Sequence, residues 1–425
     1  MTQLSFHKNY LLTLVLLFFT CCWFIPEDLS AASFSSRIAV SEEYSDNIDL
    51  DKNKKADWIS VISPGFTAKS ATHKKGVQLD YDLARSLYRD YSENDSTRHT
   101  LSLDSWLKIS RYTDVKINER FIQTEEPGTT EGELDTRNSR SLYFTNTMTG
   151  NIKHRFGSNR SIIFEHAHSL LDNDNDAEED HQINKSSLNV IYGFNQSVGM
   201  ALDSSYAKGE YDTSSDYDEY TGRLKLYKNI SKEFKVFLEY SQIVYNSEDD
   251  DESEDYKSYN PSAGIDLSFW NGCYVVMNTG YLVLEKSNEE NESGVSLTGD
   301  CGKKWQLQKG QVHIFGKSGY DNAQIDGEKM GFTVYYNSGF STDYRLSKNI
   351  NAKGSVSYKF EDYTDPPNDQ PDREDQATLA DISLRWQPKK WISTTMTYRF
   401  KELNSTDNEK NYRENSAKIL INIAI

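Results

Sequence analysis

The stretch Val77-Gln78-Leu79-Asp80-Tyr81-Asp82-Leu83-Ala84 decides the fold. Val77, Leu79, Tyr81 and Leu83 are apolar or aromatic, and Gln78, Asp80 and Asp82 stand between them. Strict alternation marks an extended strand with one apolar and one polar face. The same period returns at Leu101, Leu103, Leu107 and Ile109, at Leu142, Phe144 and Met148, and at Leu188, Val190, Tyr192 and Phe194. It continues at Val198, Met200 and Leu202, at Phe234, Val236, Leu238 and Tyr240, and at Ile265, Leu267 and Phe269. Ile419, Ile421, Ile423 and Ile425 close the chain in the same way.

The connections alternate between short and long. Short ones fall at 72–76, 156–159, 195–197, 271–272, 347–349 and 388–390, and Asn271-Gly272 is a strong hairpin signal. Long polar or acidic ones fall near 46–56, 90–97, 125–138, 172–180, 210–217, 248–255, 289–292, 321–328, 361–375 and 403–411. Such a meander predicts a closed antiparallel transmembrane β-barrel of about 18 to 20 strands, with short periplasmic turns and long acidic extracellular loops. A secreted β-sandwich or solenoid also alternates, but it leaves the loop-length pattern without a reason.

Composition agrees. The 425 residues carry a net charge of −18, 36% hydrophobic residues, 27 Tyr, 19 Phe, 7 Trp and only 8 Pro. That many aromatics argues against acidic disorder. The mean hydropathy of −0.73 suits a barrel, because only half of each spanning strand need be apolar. The acidic balance lacks the basic footprint of a nucleic-acid binder.

His7 and Lys8, the apolar run Leu11–Phe19 and Ser30-Ala31-Ala32 read as a signal peptide over residues 1–32, leaving 33–425 as the barrel and the outer membrane as its destination. The competing readings are a lipobox ending at Cys21 and an uncleaved anchor.

Two passages carry a family resemblance. Val40–Ile48 and Trp58–Phe66, followed by Leu79–Leu83 and Tyr88–Tyr91, resemble the outer-membrane "beta-barrel porin 2" family of Gram-negative bacteria. Some members accompany exopolysaccharide or PEP-CTERM systems. The resemblance implies a barrel with loosely defined cargo and no catalytic residues. One departure is the ending Ile423-Ala424-Ile425, where many bacterial barrels have Phe or Trp.

The polar phase of the strands nominates the lumen-lining residues. They are Asp80, Asp82, Asp104, Lys108, Lys116, Arg120, Arg223, Lys225, Glu239 and Arg385, with Lys153, Asp203, Lys235, Asp266 and Lys359 beside them. Both signs occur, which suits a general diffusion channel or a saccharide path. The same charges could simply pair across strands.

Asp172, Asp174 and Asp176 have the alternate spacing of oxygen ligands for calcium, but Ala177 and Ile183 stand where an EF-hand needs Gly and Glu. A solvated acidic loop is the plainer reading. His166 and His168 share one strand face and lack a Cys/His partner set nearby. Cys273 and Cys301 fall on one predicted hairpin and on the same apolar face, so a cross-strand disulfide is expected if the register aligns them. Trp270, Trp305, Trp391 and Tyr227, all beside short turns, predict an aromatic girdle.

No cofactor is expected, since no phosphate-cradling motif occurs. The expected partners are outer-membrane lipid, lipopolysaccharide, a polysaccharide cargo and periplasmic export partners, without nucleic acid. The leading function is a porin-like channel or exopolysaccharide conduit. A plugged structural or adhesive barrel is the alternative, and an outer-membrane enzyme would need a Ser/His/Asp cluster that the spacing does not display.

Overall fold

The computed structural model describes residues 32–125, 140–175, 178–248, 255–269, 271–287, 291–325, 328–364 and 373–424, with side chains for all of these except 292, 321–332 and 364. Twenty strands follow one another in a single sheet. The first ten are β1 (Ala32–Ser45), β2 (Asp57–Ala71), β3 (Lys75–Tyr88), β4 (Ser96–Lys108), β5 (Thr113–Thr124), β6 (Tyr143–Gly157), β7 (Arg160–Asn173), β8 (His181–Gly193), β9 (Val198–Tyr211) and β10 (Tyr217–Asn229). The second ten are β11 (Phe234–Ser247), β12 (Tyr256–Ser268), β13 (Cys273–Lys286), β14 (Glu292–Leu307), β15 (Gly310–Ile325), β16 (Glu328–Arg345), β17 (Ile350–Thr364), β18 (Arg373–Lys389), β19 (Ile392–Ser405) and β20 (Tyr412–Ala424).

Each strand pairs antiparallel with the next, and β1 closes on β20 from Arg37↔Ala424 to Ser45↔Ser416. Every strand therefore has a partner on both sides. The closed antiparallel barrel expected from the alternation is what forms, at the upper end of the expected strand number. Of the expected leader, residues 1–32, the first 31 lie outside the described residues, and Ala32 opens β1.

The two faces follow from the alternation. Ile38, Val40, Ile62, Leu224, Leu238, Ile382, Met396, Ile419 and Ile421 are large, apolar and exposed, and they form the outward row. Outward exposure of this kind is a lipid-facing band rather than a misfolded core. Register carries the phase from strand to strand, as in Val40↔Ile62, Leu226↔Leu238 and Thr394↔Ile421.

The short turns carry the expected chemistry. At the β12–β13 turn Gly272 has φ of +83°, and a Cβ there would lie 2.2 Å from the Lys304 carbonyl oxygen. Only glycine suits such a position. Trp305 is outward and exposed beside a turn, as a girdle requires, and Trp391 is exposed in the β18–β19 turn itself. Trp270 lies outside the described residues. Tyr227 corrects the expectation: it pairs with Gly199 and Phe237 on the inner phase, and Lys235 Nζ sits 5.6 Å from its ring centroid. One residue of parity separates a girdle position from a lumen position.

The cysteine pair is also corrected. Cys301 stands opposite Val275 and Cys273 opposite Lys303, so the two are diagonal, and both thiols are free. Diagonal neighbours lie roughly 7–8 Å apart, beyond the Cβ separation a disulfide needs. Titration of denatured, unreduced barrel should find both thiols reactive; a bridged pair would overturn this register.

Candidate functional site

Closure encloses a lumen, and its wall is built from the polar phase. Arg37 on β1 reaches across Gly65 on β2 to Asp82 on β3. Its Nε donates to Asp82 Oδ1 at 3.0 Å, and its second amino group bonds Asp82 Oδ2. A Cβ at Gly65 would lie 2.2 Å from Asp82 Oδ1, so glycine leaves the gap through which this pair meets. Arg37 also donates to Thr67 Oγ1 at 2.8 Å and lies 3.8 Å from Asp80, which accepts from Thr67 and Gln78.

Further round the wall the pairs repeat. Arg223 bonds Asp203 at 2.9 Å, Lys225 bonds Glu239 at 2.8 Å and Lys235 bonds Asp266 at 2.8 Å. Lys359 meets Glu361 at 2.7 Å, and Arg399 meets Asp381 at 2.7 Å. Asp104 accepts from Asn118. Half-exposed pairs of this sort contribute about 0–1 kcal/mol each, so they order the wall more than they stabilise the fold. Lys108, Lys116, Arg120, Lys153 and Arg385 share the inner phase but make no ion pair among the described residues.

The mouth at the long-loop end is different, because most buried side chains gather there. Tyrosines flank the long loops on the inner phase: Tyr88, Tyr143, Tyr211, Tyr217, Tyr245, Tyr256, Tyr363 and Tyr412 are all buried. Tyr217 and Tyr245 stack with ring centroids 5.1 Å apart, and Tyr245 and Tyr256 stack at 5.2 Å.

Two inward elements cover this tyrosine ring. The β1–β2 loop packs Leu50 against Ala377, Leu403 and Tyr412. Asn47, fully buried, donates to the carbonyls of Asp51 at 2.7 Å and Arg413 at 3.1 Å. Arg140, from the β5–β6 connection, clamps the loop: it bonds Asp49 at 2.9 Å, the Ile48 carbonyl at 2.6 Å and the Tyr88 hydroxyl at 3.1 Å. Lys55 adds a 2.7 Å contact to Asp49. Burial works to raise the Asp49 carboxyl, but hydrogen bonds and charge from Lys55 and Arg140 outweigh it and hold it below the usual carboxylate range.

The second element is the β15–β16 hairpin. β14 and β15 pair only from Gly299↔Ser318 to Leu307↔Gly310, whereas β14 stays paired to β13 as far as Glu292↔Leu284. Above Ser318 the hairpin has left its neighbour. Tyr320 continues the outward row of Ile314 and Ser318, yet its hydroxyl lies 3.0 Å from Ser241 Oγ and 2.8 Å from Asn260 Nδ2 on the inner face of β11 and β12. Tyr320 and Val334 pack on the cluster of Tyr211, Tyr217, Tyr245 and Leu284. This is possible only if the hairpin leans into the barrel, so that its outer face meets the inner wall of β9 to β13. Residues 321–328, expected as a polar loop, instead carry both strands on to Ile325 and from Glu328. Their polar composition conceals pairing that the backbone makes.

The other expected residues fall elsewhere. Asp172 is the second-last residue of β7 and Asp174 donates its backbone amide to the Leu142 carbonyl, while Asp176 lies outside the described residues. No group of three metal-ligating side chains occurs among the described residues. His166 and His168 face outward, bonded to Ser186 Oγ and Asn184 Oδ1 at 3.0 Å each. Sequence reasoning missed the mouth. The available signal was the tyrosine beside six of the ten long loops and the apolar Ile48 and Leu50 inside an acidic one.

Residues 33–158 match the family model described as "Putative beta-barrel porin 2". No curated protein matches. Among solved structures, the chain is similar to the FrpB iron transporter from Neisseria meningitidis, with TM-score 0.55, 9% identity, and 92% of this chain and 82% of that one covered. The siderophore receptor PirA from Pseudomonas aeruginosa gives TM-score 0.53 at 8% identity, covering 92% and 80%. At such identity the likeness concerns the outer-membrane-type barrel fold alone.

The clamp makes a pH prediction. A carboxyl held below its unfolded value adds stability above that value, and the contribution fades as pH falls through the folded one. The protection factors of the Ile48 and Leu50 amides, exchange taken relative to the unstructured rate at each pH, should therefore be high at neutral pH and fall below about pH 4. Asp49→Asn should bring faster exchange, by about tenfold, at pH 7, as loss of a charge-assisted hydrogen bond implies.

Proposed function

We propose that this chain is an outer-membrane porin-like channel whose hydrated lumen serves as a passage for saccharides, including exopolysaccharide, with its mouth narrowed by the β1–β2 loop and the β15–β16 hairpin. The observation that carries the reading is the closed 20-strand barrel with a polar, charge-paired inner wall. Barrels of 16 to 18 strands leave an aqueous channel, so 20 strands leave room for inward loops and a path beside them. The similarity of residues 33–158 to a porin family model supports it. Serine, threonine and asparagine on the inner rows supply hydroxyl and amide partners for sugar hydroxyls. The tyrosine ring supplies flat faces with a polar tip, suited to sugar rings.

Outer-membrane lipid and lipopolysaccharide would meet the outward apolar band, and periplasmic export partners would meet the short-turn end. Passage is passive, and the chain's residues provide wall and mouth, not chemistry. A second reading, a structural or adhesive barrel with a closed lumen, is favoured by one observation: the buried packing of Leu50, Tyr320 and the tyrosines at the mouth.

Single-channel recording in planar bilayers separates the two. Refolded wild type should give small ohmic steps. Tyr320→Ala removes both hydrogen bonds and the packing that draw the hairpin inward, and should enlarge the steps severalfold. Silence from both proteins, each shown to be a folded, heat-modifiable barrel, would reject the channel in favour of the closed structural barrel.

A further inference from the structure

The inner wall is not electrically even. On β9 to β12 each cation has its carboxylate: Arg223 with Asp203, Lys225 with Glu239, Lys235 with Asp266. On β5 to β8 it does not. Lys116 and Arg120 on β5, Lys153 on β6 and Lys185 on β8 share the inner phase, and none has a carboxylate within ion-pair distance among the described residues.

The register explains why. Arg120 stands opposite Thr147, which stands opposite Ser169. Lys185 stands opposite Ala167, which stands opposite Thr149. Lys153 stands between Asp114 and Ile163, and Asp114 is taken by Arg155 at 3.0 Å. Lys116 stands opposite Asn151, and the next residue in that row is Glu165, two strands or about 10 Å away. Asp104 on β4 is already bonded to Asn118. Four cations thus face one uncommitted carboxylate, Glu165, across a floor of short hydroxyl and amide side chains.

Lys116, Arg120 and Lys185 are exposed and Lys153 is half-buried, so the charges project into the hydrated interior rather than into the wall. A concave surface with low-dielectric walls focuses such a field and raises the local concentration of counter-ions. The field opposes the rest of the molecule, whose net charge is −18. The acidic runs lie in the long connections, and the unpaired cations lie within.

We infer that the β5–β8 inner wall is a binding strip for anionic solutes bearing carboxylate or phosphate groups, held by Lys116, Arg120, Lys153 and Lys185, and that it makes the barrel anion-preferring. Arg120 supplies a planar fork for an oxyanion, and the three lysines supply point charges along its path. Thr147, Thr149 and Asn151 offer neutral donors between them. The inference deepens the channel reading by naming the charge class of the cargo, and its anion preference rests on that reading. The strip itself needs only an interior open from one end.

Two measurements test it on the full barrel. The first is the reversal potential across a tenfold KCl gradient. Wild type should favour chloride, and the variant K116Q/R120Q/K153Q/K185Q should lose that preference or turn toward potassium. A conducting wild type without anion preference overturns the inference while leaving the channel intact. A silent barrel overturns the channel, and with it the anion preference, and the second measurement then decides the strip.

The second is binding of the trisulfonate dye pyranine to detergent-solubilised barrel, followed by fluorescence anisotropy. Binding should weaken at least tenfold in the variant and fade in high salt. Tri-galacturonate or inorganic phosphate should displace the dye, and whichever displaces it identifies the carboxylate or the phosphate class. Equal dye affinity in both proteins, or displacement by neither anion, overturns the strip. Native heat-modifiable migration of the variant ensures that the comparison concerns charge and not folding.

Discussion

Everything in this structure depends on satisfying backbone hydrogen bonds without water. Lipid offers no partner to an N–H or a C=O, so a spanning sheet must bond its last strand to its first. The β1–β20 register does this from Arg37↔Ala424 to Ser45↔Ser416. Closure then sorts side chains by parity alone. Even-numbered positions on β1 and odd-numbered ones on β20 face out as Ile38, Val40, Ile419 and Ile421. Their neighbours Ser41, Glu43 and Lys418 face in, and Lys418 bonds Glu43 at 2.9 Å across that same seam.

Closure also creates a problem that the mouth answers. A ring of 20 strands is wide, and its interior must be filled, hydrated or narrowed. Near the short turns the inner wall is polar and lined with ion pairs. Near the long loops it is packed by Leu50, Tyr320 and a ring of tyrosines. The hairpin reaches its place because β15 gives up its pairing with β14 above Ser318. The hydrogen bonds of Tyr320 to Ser241 and Asn260 take the place of part of that lost ladder. The barrel thus combines a polar vestibule with a built constriction, and the clamp of Arg140 on Asp49 holds the opposite side of the same mouth.

Much of the fold was legible. Period-two runs located the strands, Asn271-Gly272 marked its turn, and loop-length alternation implied the meander. Asp80, Asp82, Asp104, Lys108, Lys116, Arg120, Arg223, Lys225, Glu239 and Arg385 all occupy the inner phase, because parity is a local property of the chain. What failed was whatever depended on register or on bending. Cys273 and Cys301 share a face but sit diagonally. Tyr227 missed the girdle by one residue. Residues 321–328 read as loop because their polarity hides strand pairing.

The sequence by itself determined that the chain alternates, how many times it reverses, and which side chains share a face. Those features follow from the two-residue period of a strand and the φ/ψ demands of turns, both set within a few residues. Only the tertiary structure decided which charges find partners, which on β5 to β8 have none among the described residues, and that one hairpin turns inward. These depend on contacts between residues tens of positions apart, such as Arg37 with Asp82 and Tyr320 with Ser241, and no local pattern encodes such distances.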